Sequence, residues 1–179
     1  VKDKTYYIVV DSVDDYSGSY TITIECTPAT EISCDDGEDN DLDGKVDCED
    51  EDCFASDVCP KCSEDYELVC GYEETWNNSN EGSTDIITSY SCNTWKYYGP
   101  EYTYYFVPDK DMTVTVELTD EEAETDVLIL EDKGYGCNPG SCIAWDFNKV
   151  TWEAKAGTKY YIVIDGYGTE DPGAIGDYT

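Results

Sequence analysis

Between residues 31 and 52 the chain carries twelve carboxylates and one lysine, Lys45. Inside that run, Asp39-Asn40-Asp41-Leu42-Asp43-Gly44-Lys45-Val46-Asp47-Cys48-Glu49-Asp50 follows the pattern D-x-D-x-D-G-x-x-D-x-x-D. Calcium is a hard cation that takes six to eight oxygens in a flexible shell. Carboxylates at alternate positions converge on one point only where the chain curls tightly, and Gly44 permits that bend. The pattern predicts Ca2+ held by Asp39, Asp41 and Asp43, by the backbone carbonyl of Lys45, by Asp47 directly or through water, and by Asp50 closing the loop. The flanks lack helical periodicity and Cys48 interrupts the loop, so this is not an EF-hand. The competing reading is a solvated acidic linker, but a random acidic run would not set Gly among three alternating Asp. Asp36, Glu38 and Asp52, with Asp35 beside them, are the carboxylates left over for a second metal site.

Composition excludes several other chemistries. Of the 179 residues, 42 are Asp or Glu and 10 are Lys or Arg, a formal charge of −32. Such a chain repels nucleic acid. All ten cations are Lys, so the bidentate guanidinium fork is absent. There is no His. Ser-His and Cys-His nucleophile pairs, His-ligated zinc and imidazole acid–base catalysis fall together, and the chain reads as no enzyme. The ten cysteines suggest five disulfides and an oxidising, extracellular or cell-surface setting. A zinc ribbon is the rival, but Cys59-Pro60-Lys61-Cys62 finds no second C-x-x-C, since Cys48 and Cys53 are five apart.

The elements that must position the acidic loop are strands. Tyr6 to Asp11 and Ser19 to Glu25 read as a β-hairpin around an Asp14–Gly18 turn, so residues 1–26 need sheet partners. Residues 27–65 have almost no apolar residues and no core of their own; disulfides, a cation, or both must hold them. From residue 66 strand signals resume at Glu67–Cys70, Ile86–Tyr90, Tyr102–Val107, Met112–Leu118, Asp126–Leu130, Lys149–Trp152 and Tyr160–Asp165. Short strands separated by Gly, Pro and Asp turns predict an all-β fold, a β-sandwich or jelly roll. No apolar run is long enough to span a membrane. Val1 rather than Met opens the sequence, and the reading is a mature or excised segment.

The sequence also repeats itself. Tyr160-Tyr161-Ile162-Val163-Ile164-Asp165 matches Tyr6-Tyr7-Ile8-Val9-Val10-Asp11 at all but one position. Each is followed by a polar loop and Gly-x-Tyr-Thr, at Gly18–Thr21 and Gly176–Thr179. Two sandwich domains, the first one cut short, would explain this. So would a window on a head-to-tail array, in which residues 1–26 complete the sandwich of a neighbouring copy, covalent or separate, and residues 66–179 lack the end of their last strand.

Two resemblances follow from these residues. The stretch Glu31-x-x-Cys34-Asp35-Asp36-Gly37-Glu38-Asp39-Asn40-Asp41-x-Asp43-Gly44-x-x-Asp47-Cys48-x-Asp50-x-Asp52-Cys53 resembles the calcium-binding repeats of secreted bacterial proteins, which are similar to thrombospondin type 3 repeats. Residues 66–179 resemble bacterial pre-peptidase C-terminal domains, small extracellular β-sandwiches. The matching pieces include Gly99-Pro100-Glu101, Thr125–Leu130 and Gly157–Gly166. The resemblance implies an appended or structural module and not catalysis; the overlapping repeat points to copies that assemble with one another into a surface filament or stalk. The alternative is a non-catalytic, carbohydrate-binding module of a secreted bacterial hydrolase.

The turn Asn138-Pro139-Gly140 suggests a local Cys137–Cys142 bridge, and Cys70 and Cys92, on adjacent expected strands, form the next expected pair. For Cys26, Cys34, Cys48, Cys53, Cys59 and Cys62 all fifteen pairings stay open. Asn77-Asn78-Ser79 is a glycosylation sequon at Asn77. The tyrosines of Tyr97–Tyr105 suit core packing between sheets, a sugar-stacking platform or a subunit contact. Asp126, Asp146 and Asp165 near strand ends are further carboxylates that could meet a cation.

Overall fold

The computed structural model describes residues 5–12, 17–63, 66–120, 122–168 and 173–179. The fold is all-β. Its strands are β1 (Tyr66–Glu67), β2 (Trp76–Asn77), β3 (Tyr97–Phe106), β4 (Met112–Glu117), β5 (Thr125–Glu131), β6 (Cys142–Asp146), β7 (Lys149–Ala154), β8 (Tyr160–Tyr167) and β9 (Asp177–Tyr178). Five of them form one sheet in the order β1-β3-β8-β5-β6, antiparallel except for the β1–β3 pair. An antiparallel β4–β7 pair covers one face, and β2–β9 form a small separate pair.

The central strands are buried on both faces, which explains their sequences. β5, Thr-Asp-Val-Leu-Ile-Leu-Glu, and β8, Tyr-Tyr-Ile-Val-Ile-Asp-Gly-Tyr, are near-continuous apolar runs and are buried almost end to end. β4 and β7 alternate, because only one face of each meets the core. Toward β7, Tyr160, Ile162 and Ile164 pack with Val127, Ile129, Val150 and Trp152. On the opposite face Tyr161, Val163, Leu128 and Leu130 pack under Ile87, Tyr90 and Tyr97. Segment 84–96 is thus a cover rather than the expected strand at Ile86–Tyr90; it meets the sheet edge through the Thr84–Glu101 bridge and through the Tyr97 N–H, which donates to the Thr88 carbonyl at 3.2 Å. The tyrosines of 97–105 resolve the same way, with Tyr97, Tyr102 and Tyr104 buried in the core.

Residues 5–12 and 17–26 make no strand within the chain, and Tyr6, Tyr7, Ile8, Val9, Tyr20, Ile22 and Ile24 are exposed. The turn expected between them lies largely outside the described residues.

Four disulfides close among the described residues: Cys34–Cys53, Cys48–Cys59, Cys62–Cys137 and Cys92–Cys142. Both sequence-derived pairs are therefore corrected. Asn138 caps a 3-10 turn at Pro139–Ser141 by accepting Gly140 N–H at 2.8 Å, and that turn points Cys137 and Cys142 to different partners. Cys70 follows β1, which runs parallel to β3 at the sheet edge, while Cys92 lies in the cover on the other face. Cys70 and Cys26 stay unpaired and exposed.

Candidate metal centre

The connector winds on itself because small side chains recapture its backbone. Asp39 accepts the N–H of Gly44 at 3.0 Å, Asp41 that of Asp43 at 3.1 Å, and Asp43 that of Lys45 at 2.9 Å. The last two are Asp-led turns of the kind this residue favours, and the first closes the loop across five residues. Gly44, at φ 98°, takes the left-handed bend that its position in the motif demands. Cys34–Cys53 and Cys48–Cys59 hold the two ends of the winding together. Phe54, fully buried, anchors it to the sandwich against Tyr135 and the backbone of Gly140, where a Cβ would collide with the Phe54 ring.

Three carboxylate groupings result, each with ligand oxygens within 4.8 Å of one another: Glu31, Asp39 and Asp41; Asp41, Asp43 and Asp50; and Glu31, Asp36 and Asp47. Asp41 is shared by the first two and Glu31 by the first and third. Four oxygens here are buried with no hydrogen-bond partner: Glu31 Oε1, Asp39 Oδ1, Asn40 Oδ1 and Asp50 Oδ2. The remaining oxygen of each carboxylate is engaged. Glu31 Oε2 accepts Asn40 N–H at 3.0 Å, Asp39 Oδ2 accepts Gly44 N–H, and Asp50 Oδ1 accepts Asp52 N–H at 2.6 Å. The backbone thus fixes each side chain by one oxygen and leaves the other facing no donor. Unsatisfied buried acceptors cost of order 1–3 kcal/mol each, so such an arrangement calls for a partner the chain does not supply.

Electrostatics point the same way. Burial pushes the Glu31 carboxyl above its ordinary value against the opposing Asn40 N–H, and Asp50, Asp41 and Asp36 add repulsion. Burial likewise raises Asp41, with Asp43, Asp50 and Asp39 beside it. Lys45 and Lys133 both turn to Glu51, each at 3.5 Å, and draw its pKa down. A hard divalent cation would satisfy the oxygens and reverse the sign of the local field.

Of the residues read from the sequence, Asp41, Asp43 and Asp50 come together in one grouping, and Asp39 joins Asp41 in another that also holds Glu31. Asp47 sits in the third grouping with Asp36, where its carboxylate accepts the N–H groups of Asp36 and Gly37 at 3.0–3.2 Å. Lys45 lies between Asp43 and Asp47 with its side chain at Glu51. Glu38 and Asp52 are exposed and join no grouping among the described residues. Glu31 was not read as a ligand. Its signal is its place three residues before Cys34, whose bridge to Cys53 draws residue 31 back onto the loop. Asn77 is half-buried on β2, where its side-chain NH2 donates to Asp177 at 2.7 Å, and a glycan would break that bond.

A second acidic group lies inside the sandwich. Glu101 on β3, Asp165 on β8 and Asp126 on β5 are cross-strand neighbours in register and almost fully buried. Asp165 accepts the Tyr90 phenol at 2.6 Å, Asp126 the Tyr97 phenol at 2.7 Å, and Glu101 the Thr84 hydroxyl and the Ile86 N–H. Burial raises all three; Asp126 is pushed up to about 6, with Tyr97 opposing and Asp146 and Glu124 adding repulsion. Asp146 itself is exposed.

No protein-family profile matches the chain. A 35-residue stretch, 20% of the chain, is 57% identical to part of Teneurin-m of Drosophila melanogaster, and the match covers 1% of that protein's length.

Proposed function

We infer that the chain is a non-catalytic structural module of a secreted or cell-surface assembly. Calcium stiffens the connector 27–65, the connector sets the angle of the β-sandwich behind it, and copies follow one another head to tail as a filament or stalk. The observation that carries the reading is the half-engaged state of Glu31, Asp39 and Asp50: one oxygen fixed by a backbone N–H, the other buried without a donor. Four disulfides support an oxidising, extracellular setting. The repeated Tyr-Tyr-Ile-Val-x-Asp and Gly-x-Tyr-Thr segments support an array. The resemblances to thrombospondin type 3-like repeats and to pre-peptidase C-terminal domains are in keeping with both. Among the described residues no helix is long and apolar enough to cross a membrane.

The test is calcium titration of chelator-stripped protein by calorimetry, followed by electron microscopy with and without calcium. Saturable binding together with fibres supports the reading. No heat of binding removes calcium from it, and discrete monomers at every calcium concentration remove the array.

A second reading, a carbohydrate-binding module of a secreted hydrolase, draws on the partly exposed cluster of Trp95, Trp145, Phe147 and Tyr167. Those rings meet at 56–79°, folded onto one another rather than laid flat as a sugar-stacking surface requires, and the reading ranks second. Glycan-array binding that is lost in Trp95→Ala would reverse the order.

A further inference from the structure

A cluster of aromatic rings stands at one end of the five-stranded sheet, where β8 and β6 finish and β3 and β5 begin. Trp145 lies on β6, Tyr167 at the end of β8 opposite Tyr97, Phe147 just after β6, and Trp95 in the cover segment. Trp95 meets the other three rings, with centroids at 5.1 Å for Tyr167, 6.3 Å for Phe147 and 6.4 Å for Trp145. Trp95 still keeps 40% of its surface in water, and Phe147 keeps 58%. Single exposed rings are ordinary, but a contiguous group of them marks a contact surface.

The rings are held in place rather than carried on a loose loop. The Cys92–Cys142 bridge joins the two segments that carry the tryptophans, and each tryptophan follows its cysteine by three residues. Asn93 clamps the loop between them: its side-chain carbonyl accepts the Trp95 N–H at 2.9 Å, and its NH2 donates to the Tyr97 hydroxyl at 3.0 Å. That hydroxyl donates onward to Asp126 at 2.7 Å. Tyr167 N–H donates to the Glu124 carbonyl at 2.9 Å. A surface fixed in advance loses little freedom on binding, which favours affinity.

The surroundings of the cluster are anionic. Asp146 sits between Trp145 and Phe147 and is exposed, with one oxygen accepting the Phe147 N–H at 2.7 Å. Glu124 is exposed on the same side: it and Asp146 both repel Asp126, which burial, opposed by Tyr97, already raises. No ion pair among the described residues involves Asp146 or Glu124, and Lys96, next to Trp95, pairs with neither. The complement of exposed rings beside open carboxylates is a planar cation. A guanidinium stacks on an aromatic ring and pairs with a carboxylate at the same time. We propose that Trp95, Trp145, Phe147 and Tyr167, with Asp146 and Glu124 beside them, dock an arginine-bearing basic segment of a partner protein. A second copy of this chain is not that partner, since it brings a like charge of −32 and no arginine. The same charge steers a basic partner inward. A sugar would need a ring laid flat, whereas an arginine needs one accessible ring and one open carboxylate. The proposal goes beyond the structural reading above and stands without calcium.

The probe is a short synthetic glycine–serine peptide carrying two arginines, compared with the same peptide carrying two lysines. Each is titrated into the full 179-residue chain at about 150 mM salt, where long-range attraction is screened, and followed by calorimetry and indole fluorescence. The arginine peptide should bind saturably at one site and shift the fluorescence, and the lysine peptide should bind at least about fivefold more weakly. Trp95→Ala, Phe147→Ala and Asp146→Asn should each weaken the arginine peptide at least about fivefold. Asp109→Asn removes an exposed charge at the opposite end of β3 and should leave the affinity unchanged. Phe147 and Asp146 are exposed, so their variants keep the fold even where Trp95→Ala disturbs it. Lysine binding as tight as arginine binding would reduce the effect to net charge and overturn the proposal. So would an affinity untouched by both Phe147→Ala and Asp146→Asn, or no binding at all. A glycan bound at the cluster while the arginine peptide is ignored would pass the site to the carbohydrate reading. Repeating the titration in EDTA keeps the readings apart: the peptide still binds if only the calcium reading fails, and calcium still binds if only the docking fails.

Discussion

The molecule holds two groups of crowded carboxylates and treats them in opposite ways. In the sandwich, Glu101, Asp165 and Asp126 lie in a row across three strands, and phenol, hydroxyl and amide donors from segment 84–97 reach each of them. In the connector, Glu31, Asp39 and Asp50 meet backbone N–H groups on one side and no donor on the other. The row inside the sandwich can lower its charge by holding protons, because burial raises all three carboxyls and neutral acids still accept from tyrosine. In the connector burial raises Glu31 and Asp41 too, but the donors that reach them are backbone N–H groups, and under the proposed reading an external cation balances the rest. Under the proposed calcium reading the same residue types would serve a proton-holding core in one place and a cation site in the other, and the donors around them would decide which.

Calcium should divide the two regions most sharply. At free calcium a thousandfold above Kd, linkage stabilises the bound form by about 4 kcal/mol, a rise in Tm of roughly 10 °C for a domain of this size. Scanning calorimetry with calcium and with EDTA measures it. Glu31→Gln removes a charge from two of the three groupings while keeping the Asn40 contact, and should weaken calcium binding by about 10–100-fold. Glu101→Gln, in the sandwich, should leave the affinity unchanged. Equal losses in both variants would mean that the cation is not held in the connector.

That division was only partly legible in the sequence. The Asp-rich pattern marked Asp39, Asp41, Asp43 and Asp50 because a D-x-D-x-D-G spacing has a direct geometric meaning. Glu31 was missed because its approach depends on Cys34–Cys53, and a pairing cannot be read from spacing. The strands at Met112–Leu118 and Lys149–Trp152 showed in their alternation and those at Asp126–Leu130 and Tyr160–Asp165 as short apolar runs, whereas β6 (Cys-Ile-Ala-Trp-Asp) was too short and irregular to find. Ile86–Tyr90 reads as a strand because β-branched and aromatic residues suit any buried extended segment, and here the segment covers the sheet without joining it. The buried acidic row was hidden for a related reason: a carboxylate at a strand end looks like a turn residue until the register of three strands sets Glu101, Asp165 and Asp126 side by side.

The pH response should come next in size. Asp126 is pushed up to about 6 in the folded chain, above its ordinary value of 3.8. A raised carboxyl contributes stability that is complete below the unfolded pKa and is lost as pH rises through the folded one. In EDTA, stability should therefore fall as pH rises from about 4 to about 6, by up to about 3 kcal/mol from this residue, and Tm with it. Tyr97 faces Asp126 as a donor, while Asp165, Asp146 and Glu124 face it as carboxylates, so all of them belong to the same titration. Asp126→Asn keeps an acceptor for the phenol and should flatten the slope while raising Tm at pH 7. A slope unchanged in this variant would place the titration elsewhere in the row.

The smallest effect tests whether the phenols make the sandwich row tolerable. Tyr90 donates its hydroxyl to Asp165 Oδ2, and Asp165 Oδ1 has no partner. Tyr90→Phe keeps the ring against Tyr97 and removes only the donor. A neutral hydrogen bond contributes about 1 kcal/mol, and one to a charged acceptor about 1.5–3 kcal/mol. Because this hydrogen bond draws the Asp165 pKa down, against the larger effect of burial, its loss raises that pKa further. The variant should consequently lose more stability at an alkaline pH than at an acid one, because the hydrogen bond favours the ionised acid. Denaturant melts at the two pH values give the difference directly. An equal loss at both would show that the phenol acts through packing alone, and the contrast between a proton-holding row and a cation-holding loop would then rest on Asp126 and the calcium measurements.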